Sequence, residues 1–197
     1  LPILLGESPF KTLPELLWEK TDPNYVKRNH HYQDRGHRLE QNVAEWAAEE
    51  LGYTPGMLQR ADAYFLTDPR LKEGIVCDDT VRHAKPNMAW AACTPDRIIQ
   101  ANSSSPVQVF EVKTSSSRHG WRGQSVPRYI WIQCQWQMFV LRSWFPCDHI
   151  NVAALVCSDY TLRKVEYDHQ FIIDSWAKIG EYRKAIHGYL STGTVAP

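Results

Sequence analysis

Glu111-Val112-Lys113 closes one apolar, β-branched run, and Pro95-Asp96 closes another, Met88-Ala-Trp-Ala-Ala-Cys-Thr94. Side chains alternate along a strand, so Val107, Val109, Glu111 and Lys113 share one face while Gln108, Phe110 and Val112 share the other. A carboxylate and an ammonium therefore project side by side. With a second carboxylate from a neighbouring strand, they can hold a hard cation and a water against a scissile phosphate. The chemistry these residues predict is Mg²⁺-dependent cleavage of a phosphodiester. Glu111-Val112-Lys113 is the only Glu-x-Lys or Asp-x-Lys triplet in the chain, and about one is expected by chance at average composition. Its weight comes from the apolar runs that end in charge. The bland alternative is a salt bridge at the end of an edge strand.

The elements that position these residues follow from periodicity and punctuation. Thr12-Leu13-Pro14-Glu15 reads as a capping box, which predicts a short helix to about Lys20 that stops before Asp22-Pro23. A longer helix is expected from Gln33 to Leu51, with Gly52 as its C-cap and Leu39, Val43, Trp46, Ala47 and Leu51 at helical spacing. Glu40 stacks on Val43, Ala44 and Ala47 of that helix, so its carboxylate needs a partner or must reach outward; Arg35 is one candidate. Strands are expected at Asp62 to Leu66, Gly74 to Cys77, Met88 to Cys93, Arg97 to Ile99 and Val107 to Lys113, making the middle third of the chain the sheet. A loop, Thr114 to Arg122, leads to a helix from Pro127 to about Arg142 that carries Gln133 one turn before Trp136 and Gln137. A hairpin around Ser158-Asp159, a closing helix from Phe171 to Leu190 and a frayed tail from Ser191 to Pro197 complete the reading.

Composition narrows the class. At 197 residues with no Pro/Gly/Ser-rich linker, the chain reads as a single domain over 1–197, and 43% hydrophobic with 22% charged residues is ordinary for a globular α+β protein. No apolar run approaches the roughly 20 residues of a membrane span, which predicts no membrane partner. The five cysteines form no Cys-x-x-Cys pair, so reduced thiols and a cytoplasmic setting are expected, without an iron-sulfur cluster. No signal peptide is evident, and a start at Leu1 rather than Met predicts residues upstream. His30, His31 and His37 lack zinc-site spacing and read as surface or nucleic-acid-facing.

Basic and acidic residues balance at 22 each, yet from Val112 to Cys147 there is no Asp or Glu. Lys113, Arg118, Arg122, Arg128 and Arg142 fall in that stretch among His119, Trp121, Tyr129, Trp131 and Trp136. Basic residues interleaved with aromatics suit a surface that tracks phosphates and stacks bases. Tryptophans in the core and ordinary solvated arginines would give the same pattern, and Trp136 is expected in the core.

Five blocks in order carry a resemblance: Gly6-Glu-Ser-Pro-Phe-Lys-Thr12, Arg35-Gly-His-Arg-Leu-Glu40, Ala92-Cys-Thr-Pro-Asp96, Val109-Phe-Glu-Val-Lys113 and Ile132-Gln-Cys-Gln-Trp-Gln137. Together they resemble the lambda exonuclease and YqaJ-like viral recombinase family of PD-(D/E)xK nucleases, from residue 6 to about 157. The resemblance implies an α/β/α-like sandwich with a central mixed sheet flanked by helices. It makes Glu40 the helix carboxylate of the site, Asp96 and Glu111 metal ligands, the Val112 carbonyl a further ligand, Lys113 the catalytic lysine and Gln133 the glutamine of the following helix. Two Mg²⁺ ions, with Mn²⁺ as substitute, would be held by Asp96, Glu111, Val112 and, directly or through water, Glu40. Lys113, its pKa lowered by the metals, would orient or deprotonate the attacking water.

The activity implied is 5′-to-3′ digestion of double-stranded DNA ends to 5′-mononucleotides, leaving a 3′ strand for phage-type recombination in a bacterial host. Thr94 is then a hydroxyl for the 5′ phosphate, the assembly is a homotrimer, and a single-strand annealing protein is a partner; Arg118, Arg122 and Arg128 are expected to contact phosphates because they flank the Glu111 strand in the segment free of acidic residues. Two departures stand out: the Ser-containing segment expected before Ser8-Pro9-Phe10 would fall upstream of Leu1, where the sequence starts too late to show it, and Arg97 follows Asp96 where the family often has Gly. A structure-specific or restriction-type endonuclease on the same fold is the nearest competing reading. A non-catalytic DNA-binding protein should have lost one of Glu40, Asp96, Glu111 or Lys113, and all are present.

Overall fold

The computed structural model describes residues 1–22, 31–67, 69–77 and 80–192. In chain order these form α1 (Leu13–Thr21), α2 (His31–Glu50), α3 (Ala61–Thr67), β1 (Ile75–Cys77), β2 (Thr80–Arg82), β3 (Ala92–Cys93), β4 (Arg97–Ile99), β5 (Gln108–Ser115), α4 (Arg128–Leu141), β6 (His149–Val156), β7 (Asp159–Glu166) and α5 (His169–Thr192). The main sheet has the order β4-β5-β6-β7 and is mixed: β5 and β6 are parallel, the outer pairs antiparallel. Parallel neighbours require a crossover, and α4 provides it between β5 and β6. A second antiparallel sheet, β1-β2-β3, lies beside this frame.

β5 sorts the two cores by alternation. Phe110 and Val112 pack with Val43, Ala44, Ala47 and Ala48 of α2 and with Ile99 and Ala153. Val109 faces the other way, among Ile130, Cys134, Met138 and Leu141 of α4 and Ile150 and Val152 of β6. The result is helix, sheet, helix. Phe110, fully buried, contributes about 1.5–3 kcal/mol by leaving water. Alanines on the inward stripe let α2 approach closely, and at Gly36 an added Cβ would stand 3.4 Å from Thr114 Oγ1. α2 ends at Gly52, whose φ of 78° is left-handed. Its N–H donates to the Glu49 carbonyl and that of Tyr53 to the Ala48 carbonyl, a Schellman closure. The Thr12 capping box on α1 forms as expected, the Thr12 N–H donating to Glu15 Oε2 at 2.7 Å.

Four expectations are corrected. Asp62 to Leu66 is not a strand but lies in α3, because Ala61, Tyr64 and Phe65 bury one helical face at i, i+3 and i+4. Met88 to Cys93 is extended only at Ala92–Cys93. Pro86–Met88 form a 3₁₀ turn, and the Ala91 N–H donates back to the Met88 carbonyl. β2 was not anticipated, and the middle third does not hold the whole sheet, since β6 and β7 complete it from beyond α4. The hairpin turn centres on Cys157-Ser158, with Val156 opposite Asp159 and Cys157 at φ 59°. Pro23, His30 and residues 193–197 of the expected tail lie outside the described residues.

Candidate active site

β5 places Glu111 and Lys113 on the α4 face of the sheet, and Glu111 is fully buried. A buried carboxylate must be compensated. Lys113 Nζ bonds Glu111 Oε1, Gln133 Nε2 donates to the same oxygen at 2.6 Å, and Gln137 Nε2 donates to Oε2 at 2.7 Å. Gln133 and Gln137 are one turn apart on α4 and reach down together. Gln137 also donates to the Thr94 carbonyl at 3.2 Å, tying α4 to the turn that carries Asp96. Gln137 was missed as a site residue; the Gln-x-x-x-Gln spacing on a helix is the signal that could have found it.

Asp96 enters from the start of β4. The ladder between β4 and β5 ends at Arg97 opposite Phe110, so beyond it this edge of β5 is open. Asp96 Oδ2 fills part of the gap by accepting the Val112 N–H at 2.7 Å. Within a strand the N–H and C=O of one residue project to the same edge, so the Val112 carbonyl faces the same gap. Asp96 Oδ1 has no hydrogen bond with the described residues. Burial, and then the charge of Glu111, push the Asp96 carboxyl up to about 7, against the opposing pull of Lys113 and the Val112 N–H. Burial acts to lower the Lys113 ammonium, but Glu111 and Asp96 overcome it and hold Lys113 above its usual value. Without metal, Lys113 is a firm cation rather than a base.

Glu40, on α2, comes to this end of the sheet from the opposite layer. Its partner is Arg97, not the exposed Arg35: Arg97 Nη1 stands 2.7 Å from Glu40 Oε1, with His37 Nδ1 3.7 Å from Oε2. Among the described residues no three His, Cys, Asp or Glu side chains converge on one point. The oxygen donors brought to this end of the sheet are Asp96, whose Oδ2 is on the Val112 N–H, Glu111, whose charge Asp96 feels, and the Val112 carbonyl on the same open edge. These donors suit a hard divalent cation, and two like charges crowding one buried site are relieved by one.

The remaining predicted residues are not gathered around the carboxylates. Thr94 is exposed, its Oγ1 3.4 Å from Thr80 Oγ1. Arg118 is paired with Asp159 at the hairpin turn. Arg128 lies over the Trp131 ring at 4.1 Å and near Phe171 at 5.2 Å. Arg122 is exposed in the connection that leaves the Lys113 end of β5. Trp136 is structural, as expected, donating to the Ala92 carbonyl at 2.8 Å. His37 is 78% exposed. Tyr129, one turn before Gln133 on α4, feels the charge of Lys113 and carries the exposed Phe10 ring edge-on at 5.3 Å. All five cysteines are free thiols, and no helix among the described residues is long and apolar enough to cross a membrane.

Comparison with known proteins bears on the fold and the family. An alkaline exonuclease (LHK-Exo) from Laribacter hongkongensis superposes with a TM-score of 0.61 at 12% identity, over 90% of this chain and 79% of that one, which shows a shared fold. A second solved structure, SSO0001, reaches only 0.36 at 16% identity over 85% of each chain. No curated protein matches the sequence at a significant level. The model of the YqaJ-like viral recombinase domain matches residues 3–143, more than half of the sequence, and the chain belongs to that family.

Proposed function

We propose that this chain is a deoxyribonuclease of the alkaline exonuclease type, hydrolysing double-stranded DNA from a 5′ end to mononucleotides and leaving a 3′ strand for recombination. The observation that carries the reading is the convergence of Asp96, Glu111 and Lys113 around the open edge of β5. Asp96, Glu111 and the Val112 carbonyl would hold Mg²⁺, or Mn²⁺ in its place, with Glu40 acting through water. A cation bound there supplies charge neutralisation for the phosphate and activation of the attacking water. The residues of the chain do the rest. Gln133 and Gln137 fix both oxygens of Glu111 so that it need not reorganise during the reaction. Lys113 presents its ammonium to water and phosphate, orienting one and stabilising charge on the other.

Thr94 would receive the 5′ phosphate, and Arg118, Arg122 and Arg128 the backbone beyond it. Three subunits forming a ring around duplex, with a single-strand annealing protein as partner, fit the same function. Linear duplex labelled at its 5′ or 3′ ends tests the polarity, with closed circular duplex alongside. Mg²⁺-dependent release of the 5′ label first, with the circle untouched, is expected. Strict 3′-to-5′ release overturns the polarity, and cutting of the circle favours an endonuclease.

A further inference from the structure

Arg97 follows Asp96 directly and lies between it and α2. Its guanidinium is held at three points: Nη1 donates to the Asp96 carbonyl at 2.6 Å and meets Glu40 Oε1 at 2.7 Å, while Nη2 donates to Gln41 Oε1 at 3.2 Å. Its side chain is 16% exposed. Gln41 is itself braced, its Nε2 donating to Glu45 Oε1 at 2.7 Å. A guanidinium keeps its charge at any pH the protein survives, and its planar fork suits this fixed geometry. Three carboxylates (Glu40, Asp96 and Glu111) face two resident cations (Lys113 and Arg97), which leaves one net negative charge. One divalent ion turns that balance positive by one. A second would have to take Glu40 away from Arg97 and then sit beside the guanidinium.

We propose that Arg97 is the resident counter-charge of Glu40, so that the site takes one divalent cation, at Asp96, Glu111 and the Val112 carbonyl, in place of the two that the family resemblance implies. Arg97 is a positioning residue in this scheme: it fixes Glu40 beside the Asp96 turn and supplies by side chain the positive charge that a second ion would bring. The inference rests on the metal-dependent reading above and concerns the number of ions.

The test is titration of the metal-free full chain with Mn²⁺, free ion being followed by electron paramagnetic resonance. The wild type is expected to bind one ion, Asp96→Ala none, and Glu40→Gln still one. Arg97→Gln, which frees Glu40 while keeping a hydrogen-bonding side chain, should bind two. Arg97→Lys, which keeps the charge, should bind one, and a cooperative melt verifies the fold of each variant. Two ions in the wild type with one in Glu40→Gln, or a single ion in Arg97→Gln, would overturn the role of Arg97 and leave the metal reading standing. No ion in the wild type would overturn the metal reading itself, and this inference with it.

Discussion

Burial and the neighbouring charge of Glu111 set the Asp96 carboxyl at odds with its surroundings, and that conflict is measurable. Its folded pKa of about 7 lies above the roughly 3.9 of an unfolded Asp. The stability it contributes is therefore fully present below about pH 4 and is lost as the pH rises through about 7. In chelator, Asp96→Asn should melt above the wild type at pH 8 by an amount on the order of a few kcal/mol, and the gap should close towards pH 4. Added Mg²⁺ should raise the wild type and not the variant. A gap that does not change with pH would mean that neither burial nor Glu111 raises the Asp96 carboxyl. Glu111 and Lys113 were legible in the sequence because strand alternation puts both on one face of β5, and Asp96 because a Pro-Asp closes an apolar run, although that run is a strand only at Ala92–Cys93. Arg97 as the partner of Glu40 was not, since that pair joins opposite layers of the sandwich and no local spacing encodes it.

The glutamines of α4 divide its work between two faces. Gln133 and Gln137 reach Glu111. Gln135, fully buried, instead accepts the Asp168 N–H at 2.7 Å and donates to the Glu166 carbonyl at 2.8 Å, clipping α4 to the junction of β7 and α5. Gln135→Ala should cost about 1–3 kcal/mol, the penalty for stranding buried backbone groups, with turnover per folded molecule intact. Gln137→Ala should lower turnover by about 10²-fold, because a fixed carboxylate loses one of its donors. Chemical denaturation and single-turnover cleavage separate the two, and equal loss of turnover in both variants would contradict the division. Periodicity located α2 and α5 because each buries a stripe, whereas β5 and α4, buried on more than one side, stood out as apolar runs of strand and helix length. It misread α3, where Asp62 to Leu66 spans too few residues for period two and helical spacing to be told apart. β2 escaped because three residues flanked by polar ones carry no pattern.

For the molecule as a whole, DNA affinity must come from local rather than net charge, since the chain is neutral overall. Arg122 is the exposed arginine nearest in sequence to the Lys113 end of β5 that is tied neither to an acid, as Arg118 is, nor to a ring, as Arg128 is. Arg122→Gln should weaken duplex binding alike for every sequence and reduce the slope of log affinity against log salt by about one; an unchanged slope would leave it as ordinary surface. Light scattering should give a mass near three times 22.8 kDa if subunits close a ring, and a monomer that digests long duplex processively would remove the ring. The composition of the chain could not show that assembly, because interfaces are not distinguished by bulk composition. One comparison bears on the whole proposal: release of acid-soluble nucleotide from linear duplex by the wild type and by Glu111→Ala, each with Mg²⁺ and with excess chelator. Release should occur only for the wild type with Mg²⁺, the variant being folded and at least about 10²-fold slower; equal release by both proteins, or release by the wild type in chelator, would contradict a metal-dependent site built on β5.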